Sequence, residues 1–285
     1  MCPAILVKAK LGIVRYIKHI SLQGTQTVQL AKYCFLSSLL AINCAFAEIQ
    51  PQDFSHWPVN GELKQLDVEQ QQFVSLWLEE ETPQKRGTII LLPDWGISPS
   101  APNSIDSLRQ ALPKLGWETG AILPPKPMSG LMQQAETEND EQLQQYKLSL
   151  QAVIQAAKQN QAEQFGFQVI IAQGVMGAWL VELLAEDELE QPDGIVLISA
   201  YYPNQTLNKK LAEQTATLAI PVLDIYAEHY NHWQQQAREQ RLTASNKNQK
   251  LNYRQTHLPA TADTAPNSAK LNKTVYGWFN ALGWY

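Results

Sequence analysis

The stretch Phe167-Gln-Val-Ile-Ile-Ala-Gln-Gly-Val-Met-Gly-Ala-Trp179 constrains the fold of this chain more than any other. An apolar run stops at Ala172, and a turn containing Gly174 follows. An apolar helical pattern then begins at once with Val175, Met176, Trp179, Leu180, Leu183 and Leu184. A run this short and this apolar reads as a buried strand. The unit is therefore strand, tight turn, helix, and the rest of the chain is read around it.

Other segments repeat the same alternation. Residues 61–68 and 72–79 read as two leading strands, with Phe73, Ser75 and Trp77 on one face and Val74, Leu76 and Leu78 on the other. Thr88–Leu92 is all apolar, as in a parallel strand covered on both faces. A helix is predicted over 104–115, with Gly116 placed to end it, and a strand over 117–123. Residues 124–140 carry three prolines and no period; a lid or binding loop and a plain crossover both fit. A long helix over 140–160 follows, with Asn139 and Gln142 suited to a capping box. Strands are predicted over 194–199, 221–226 and 251–258. Helices are predicted near 207–213, over 231–242 and in a closing segment around Leu271–Leu282. The glutamine clusters at 70–72 and 234–236 read as solvated faces.

The first 47 residues stand apart. They carry Lys8, Lys10, Arg15, Lys18 and Lys32 and no acidic residue, then an apolar run from Tyr33 and the tripeptide Ala45-Phe46-Ala47. A basic region, a short apolar core and an Ala-x-Ala site make a secretory signal peptide, with cleavage between Ala47 and Glu48. The apolar run is too short for a comfortable membrane span. An uncleaved anchor and an internal start are the alternatives. Asn43 before Cys44 is unsuited to lipidation. Residues 48–60 are expected to form an N-terminal arm that His56 and Trp57 pack onto a domain spanning 61–285.

Cleavage changes the charge and the redox chemistry. Of 22 basic residues five leave, so 17 face 27 acidic ones, a formal charge of −10. That disfavours a nucleic-acid partner, which requires a clustered positive surface. Cys2, Cys34 and Cys44 all lie in the leader, so the mature chain forms no disulfide, thiolate metal site or cysteine nucleophile. About 238 residues suffice to bury a core without such staples.

Two leading strands followed by strand–helix units, with a tight turn after a crossover, resemble the α/β-hydrolase fold. That fold is a three-layer sandwich of a mostly parallel sheet with helices on both faces. Further pieces carry the likeness: Leu91-Leu92-Pro93-Asp94, Leu115-Gly116-Trp117, Gly177-Ala178-Trp179, Pro192-Asp193-Gly194, Pro221–Tyr226 and Tyr253-Arg254-Gln255. More narrowly, the chain resembles a group of exported, functionally unassigned α/β-hydrolase-like proteins of Gram-negative bacteria. In that group the elbow serine often gives way to glycine.

The resemblance implies where a catalytic triad would stand. The nucleophile belongs on the elbow, in Gly-x-Ser-x-Gly. Laid on that motif, Gln173 takes the variable place, Gly174 the serine and Val175 the next position, and neither Gly174 nor Val175 can form an acyl-enzyme. Glu228 lies where the acid would be, though a surface loop glutamate explains it as well. His257 falls inside the last strand instead of in the loop after it. Asp94 and Trp95 occupy the neighbourhood of the oxyanion loop. A carboxylate there would disfavour an oxyanion, unless Asp94 turns away to cap something. Glu228, His229 and His232 are close in sequence but offer no evident third ligand, so no metal is expected, and no cofactor. The start of the helix at Gln173-Gly174 offers backbone donors to an anion. Trp95, Trp179, Trp233 and the Tyr201-Tyr202 pair either line a pocket or join the core.

The expected function is that of a periplasmic pseudoenzyme acting in binding or as an envelope scaffold. Its partner would be an envelope protein or a small apolar ligand, with no membrane span after cleavage. Two alternatives stand: an esterase or amidase with displaced catalytic residues, and a small-ligand binder using the vestigial pocket.

Overall fold

In the computed structural model, residues 60–68, 71–125, 141–159, 165–227, 231–259 and 265–284 are described. The leader, the arm with His56 and Trp57, most of the 124–140 loop with Asn139, and Glu228 and His229 lie outside them.

Eight strands form one sheet: β1 (Glu62–Val68), β2 (Gln71–Leu78), β3 (Gly87–Leu92), β4 (Trp117–Ile122), β5 (Phe167–Gln173), β6 (Gly194–Ile198), β7 (Val222–Ala227) and β8 (Tyr253–Leu258). Their spatial order is β1-β2-β4-β3-β5-β6-β7-β8. Strand β2 runs antiparallel to both β1 and β4, and β3 to β8 are mutually parallel. The helices are α1 (Ser104–Ala111), α2 (Glu141–Gln159), α3 (Gly174–Ala185), α4 (Gln205–Thr217), α5 (His232–Lys247) and α6 (Ala265–Ala281). This is an α/β-hydrolase-type sandwich.

Alternation along the strands divides the core in two. Ile89, Leu91, Val169 and Ile171 face α1 and α6, where Ile105, Leu108, Leu271 and Phe279 meet them. Ile90, Leu92, Ile170 and Ala172 face the opposite layer, with Leu150 and Val153 of α2, Leu180 of α3 and Leu211 of α4. Side chains of this size each contribute about 1.5–3 kcal/mol when fully buried, so the two layers hold the sheet between them.

Local chemistry sets the boundaries. The Asn103 side chain accepts from the N–H groups of Ile105 and Asp106 at 2.9 and 3.2 Å and starts α1. The predicted helix over 104–115 changes to a 3₁₀ turn at Leu112, where Pro113 removes a donor, and Gly116 ends it with φ 89°. The last strand begins at Tyr253, two residues after the predicted start, because Leu251 is exposed and unpaired with β7. In the glutamine cluster at 234–236, Gln235 is exposed as expected but Gln234 is not. Gln234 is buried and closes a capping box with Asn231, each side chain bonding the other's backbone N–H. Among the described residues, no helix is long and apolar enough to cross a membrane.

Candidate functional site

The sheet brings two loops together at one point. From β3 the chain crosses to β4 on one side, while β5 lies on the other side, so the strand order reverses between β3 and β5. Open α/β sheets bind ligands outside the carboxyl ends of their strands at such a point. Leu92 of β3 is registered against Ala172 of β5. Asp94 and Gly174 each follow that pair by two residues and so stand side by side.

Gly174 has φ +59°, the left-handed conformation of a sharp elbow, and α3 begins at this residue. Asp94 fills the space in front of it. A β-carbon built on Gly174 would coincide with the Asp94 carboxylate, meeting Cγ, Oδ1 and Oδ2 at once. Asp94 therefore does not turn away from the elbow. Its Oδ1 accepts from the Val175 N–H at 2.9 Å and from its neighbour Trp95 N–H at 2.8 Å.

In α/β-hydrolases the oxyanion hole is made by the N–H after the nucleophile and an N–H of the loop after β3. Val175 and Trp95 stand in those two places, and one carboxylate oxygen of the chain itself occupies both donors. At the helix start, the Val175 N–H that could serve an anion is taken by the chain's own Asp94. Gln173 makes no side-chain cap, so Asp94 caps α3 from another loop. Burial pushes the Asp94 carboxyl above the ordinary Asp value, and the two backbone hydrogen bonds oppose that shift.

Aromatic rings close the surroundings. Trp95 Nε1–H donates to the Tyr146 hydroxyl at 2.5 Å, and that hydroxyl reaches the Pro125 carbonyl at 3.2 Å. Trp95, Tyr146, Trp179 and Tyr202 contact one another in sequence, with ring centroids 5.5–5.8 Å apart. Trp179 and Tyr202 belong to the core. Trp233 instead meets His232 in a tilted ring contact, centroids 4.2 Å apart. The position directly above Gly174 is filled by a carboxylate, not by open apolar space.

His257 lies within β8, exposed, opposite Tyr226 and in ring contact with it at 5.0 Å. It lines a cleft with Ser199, Arg238 and Arg241 that includes neither Asp94 nor Gly174. The structure therefore assigns Asp94 and His257 to different places. Among the described residues, no group of three His, Cys, Asp or Glu side chains is placed to hold a metal.

Sequence reasoning passed over a second cluster. Asp224 of β7 and Arg241 of α5 are both fully buried and pair through Nε–Oδ2 and Nη2–Oδ1, each 2.9 Å. The Tyr253 hydroxyl and Gln255 Nε2 donate to Asp224 Oδ2 at 2.6 and 3.0 Å, and Arg241 Nη1 donates to the Ala200 carbonyl at 2.6 Å. The signal was available: a charged residue inside the apolar run Pro221–Tyr226 demands a partner.

A family model described as "Protein of unknown function (DUF3530)" matches residues 54–137 and 130–281. Comparison with curated proteins gives no match. Solved structures show the same fold. A dienelactone hydrolase of Anabaena variabilis aligns at TM-score 0.57 and 13% identity, over 78% of this chain and 97% of its own. A lidless α/β serine hydrolase of Xanthomonas campestris aligns at TM-score 0.57 and 14% identity, over 79% and 96%. An esterase of Pyrococcus furiosus aligns at TM-score 0.55 and 14% identity, over 81% and 93%.

Proposed function

The chain belongs to the DUF3530 family, and on that premise we propose that it is an exported periplasmic protein that keeps a hydrolase body without serine-hydrolase chemistry. Its work is binding, or a scaffold role in the cell envelope. One observation carries this reading: the Asp94 carboxylate stands where an elbow side chain would project and takes the Val175 and Trp95 donors. A nucleophile at that turn and a developing oxyanion beside it both need space and donors that Asp94 already uses. The basic, apolar and Ala-x-Ala segments of residues 1–47 support export.

The test is chemical. Purified protein is incubated with a fluorophosphonate probe and, separately, with p-nitrophenyl esters of short acids. No labelling and no turnover above the buffer rate are expected. Stoichiometric labelling lost on changing one serine would overturn the reading and restore an enzyme with displaced residues.

A further inference from the structure

A cleft of about 280 Å³ lies between the carboxyl ends of β6, β7 and β8 and the first turns of α5. Its lining includes Ser199, Tyr226, Gln234, Arg238, Arg241 and His257. The Arg238 guanidinium, the His257 imidazole and the Gln234 and Gln235 carboxamides line it, with the Arg241 guanidinium buried beneath them against Asp224, and among the described lining residues there is no carboxylate. The lining thus presents cationic and neutral donors in a chain whose formal charge is −5.

Three features make this a built site instead of a surface dent. First, Ser199 is 4% exposed and its Oγ has no hydrogen-bond partner. Buried hydroxyls are nearly always bonded, so a free one lining a cleft marks a place for a partner. Ser199 is also held at φ +51°, which turns the chain sharply just after β6. Second, Arg238 is positioned and not free to wander: its guanidinium lies 4.2 Å from the Tyr226 ring centre, and its acidic contact is the adjacent Glu239 at 3.7 Å. Third, the floor is rigid, because Arg241 is locked to Asp224 and to the Ala200 carbonyl.

We propose that this cleft binds a small anionic molecule through a carboxylate or phosphate group. Arg238 supplies the charge, Ser199 Oγ–H and the Gln234 amide N–H supply hydrogen bonds, and the Tyr226 ring forms a flat wall. Guanidinium matches the planar fork of either group. The volume is close to that of a small-molecule site. The inference is independent of the elbow, since Asp94, Gly174 and Val175 are not among the lining residues.

Isothermal titration calorimetry with inorganic phosphate and with benzoate, at ionic strength fixed by sodium chloride, tests it. Saturable binding of at least one probe, one per chain, is expected, and the tighter of the two identifies the anionic group. Arg238→Gln should weaken it about tenfold or more. Ser199→Gly should weaken it about fivefold while keeping or raising the thermal midpoint, since glycine suits φ +51°. Lys209→Gln, on an exposed position of α4, should change it less than about twofold. Absence of saturable binding overturns the proposal. So do wild-type affinity in both cleft variants and an equal loss in the Lys209 variant.

Discussion

Asp224 and Arg241 meet in a two-point ion pair that no solvent reaches, with both contacts at 2.9 Å. The pair joins β7 to α5, and Tyr253 and Gln255 satisfy the remaining demand on Asp224 from β8. Removing one partner strands a buried charge. Asp224→Ala should therefore destabilise the protein by about 3–5 kcal/mol, while a double Asp224→Leu, Arg241→Met variant should recover most of that loss. Urea midpoints of the three proteins measure it, and equal losses in single and double variants would contradict the account.

The elbow makes a sharper prediction. Gly174→Ala places a β-carbon on the Asp94 carboxylate and forces alanine into a left-handed conformation. The expected cost is about 2–4 kcal/mol. Combined with Asp94→Gly, the steric part vanishes, so the two changes should couple by roughly 1 kcal/mol or more in a double-mutant cycle. Additive effects would mean that the two residues do not share this space.

Asp94 also sets a pH dependence. Its carboxyl is raised above the ordinary value by burial, so the folded state holds the proton more tightly than the unfolded chain. Its contribution to stability is greatest below the unfolded Asp value near 4 and declines as pH rises through the raised folded value. Asp94→Asn keeps an acceptor for Val175 and Trp95 but cannot ionise. The stability of the variant relative to wild type should grow as pH is raised from about 4 and then level off. Denaturation across that window checks it; a difference that shrinks with rising pH would reverse the sign.

Lys147 is buried against Glu186 at 2.6 Å, Glu182 at 3.3 Å and Glu188 at 3.7 Å, joining α2 to α3 and the turn after it. Burial opposes the charged lysine, but the Glu186 hydrogen bond and the three carboxylates outweigh it and raise its pKa. Burial likewise opposes the charged Glu186, and Lys147 and Lys210 overcome it and lower that pKa. A lowered Glu pKa gives stability that is present above the unfolded value and lost as pH falls through the folded one. Lys147→Met should cost about 1–3 kcal/mol at pH 7, discounted for the partly exposed glutamates. The deficit should shrink below about pH 4 as the carboxylates protonate. A pH-independent deficit would assign the effect to packing alone.

Export predicts a mass and a place. Cells expressing the full chain should yield, in the periplasmic fraction, a protein beginning at Glu48. Intact-mass spectrometry of that fraction reads the start directly, and recovery of an uncleaved chain from the membrane would favour an anchor.

The layered architecture was legible because its signals are local. Apolar runs such as Thr88–Leu92 and the immediate helix after Ala172 each fix an element without reference to distant residues. What stayed hidden depends on side chains from separate strands. Asp94 was visible beside the oxyanion loop, but its direction follows from the register of Leu92 with Ala172, which no periodicity encodes. Gln234 looked like solvent-facing polarity because a glutamine run has no apolar stripe, yet an N-terminal cap buried it. Asp224 announced a missing partner, while the partner, Arg241, sat on a Gln-rich helix without a clear apolar stripe.

The arrangement at Gly174 also bears on the routes open to this chain under mutation. A hydroxyl introduced there first collides with Asp94, and a loss of Asp94 first leaves the start of α3 uncapped. A hydroxyl at the turn therefore needs both positions to change, one to make room and one to supply the side chain. The interlock works as a ratchet against a hydroxyl at this turn.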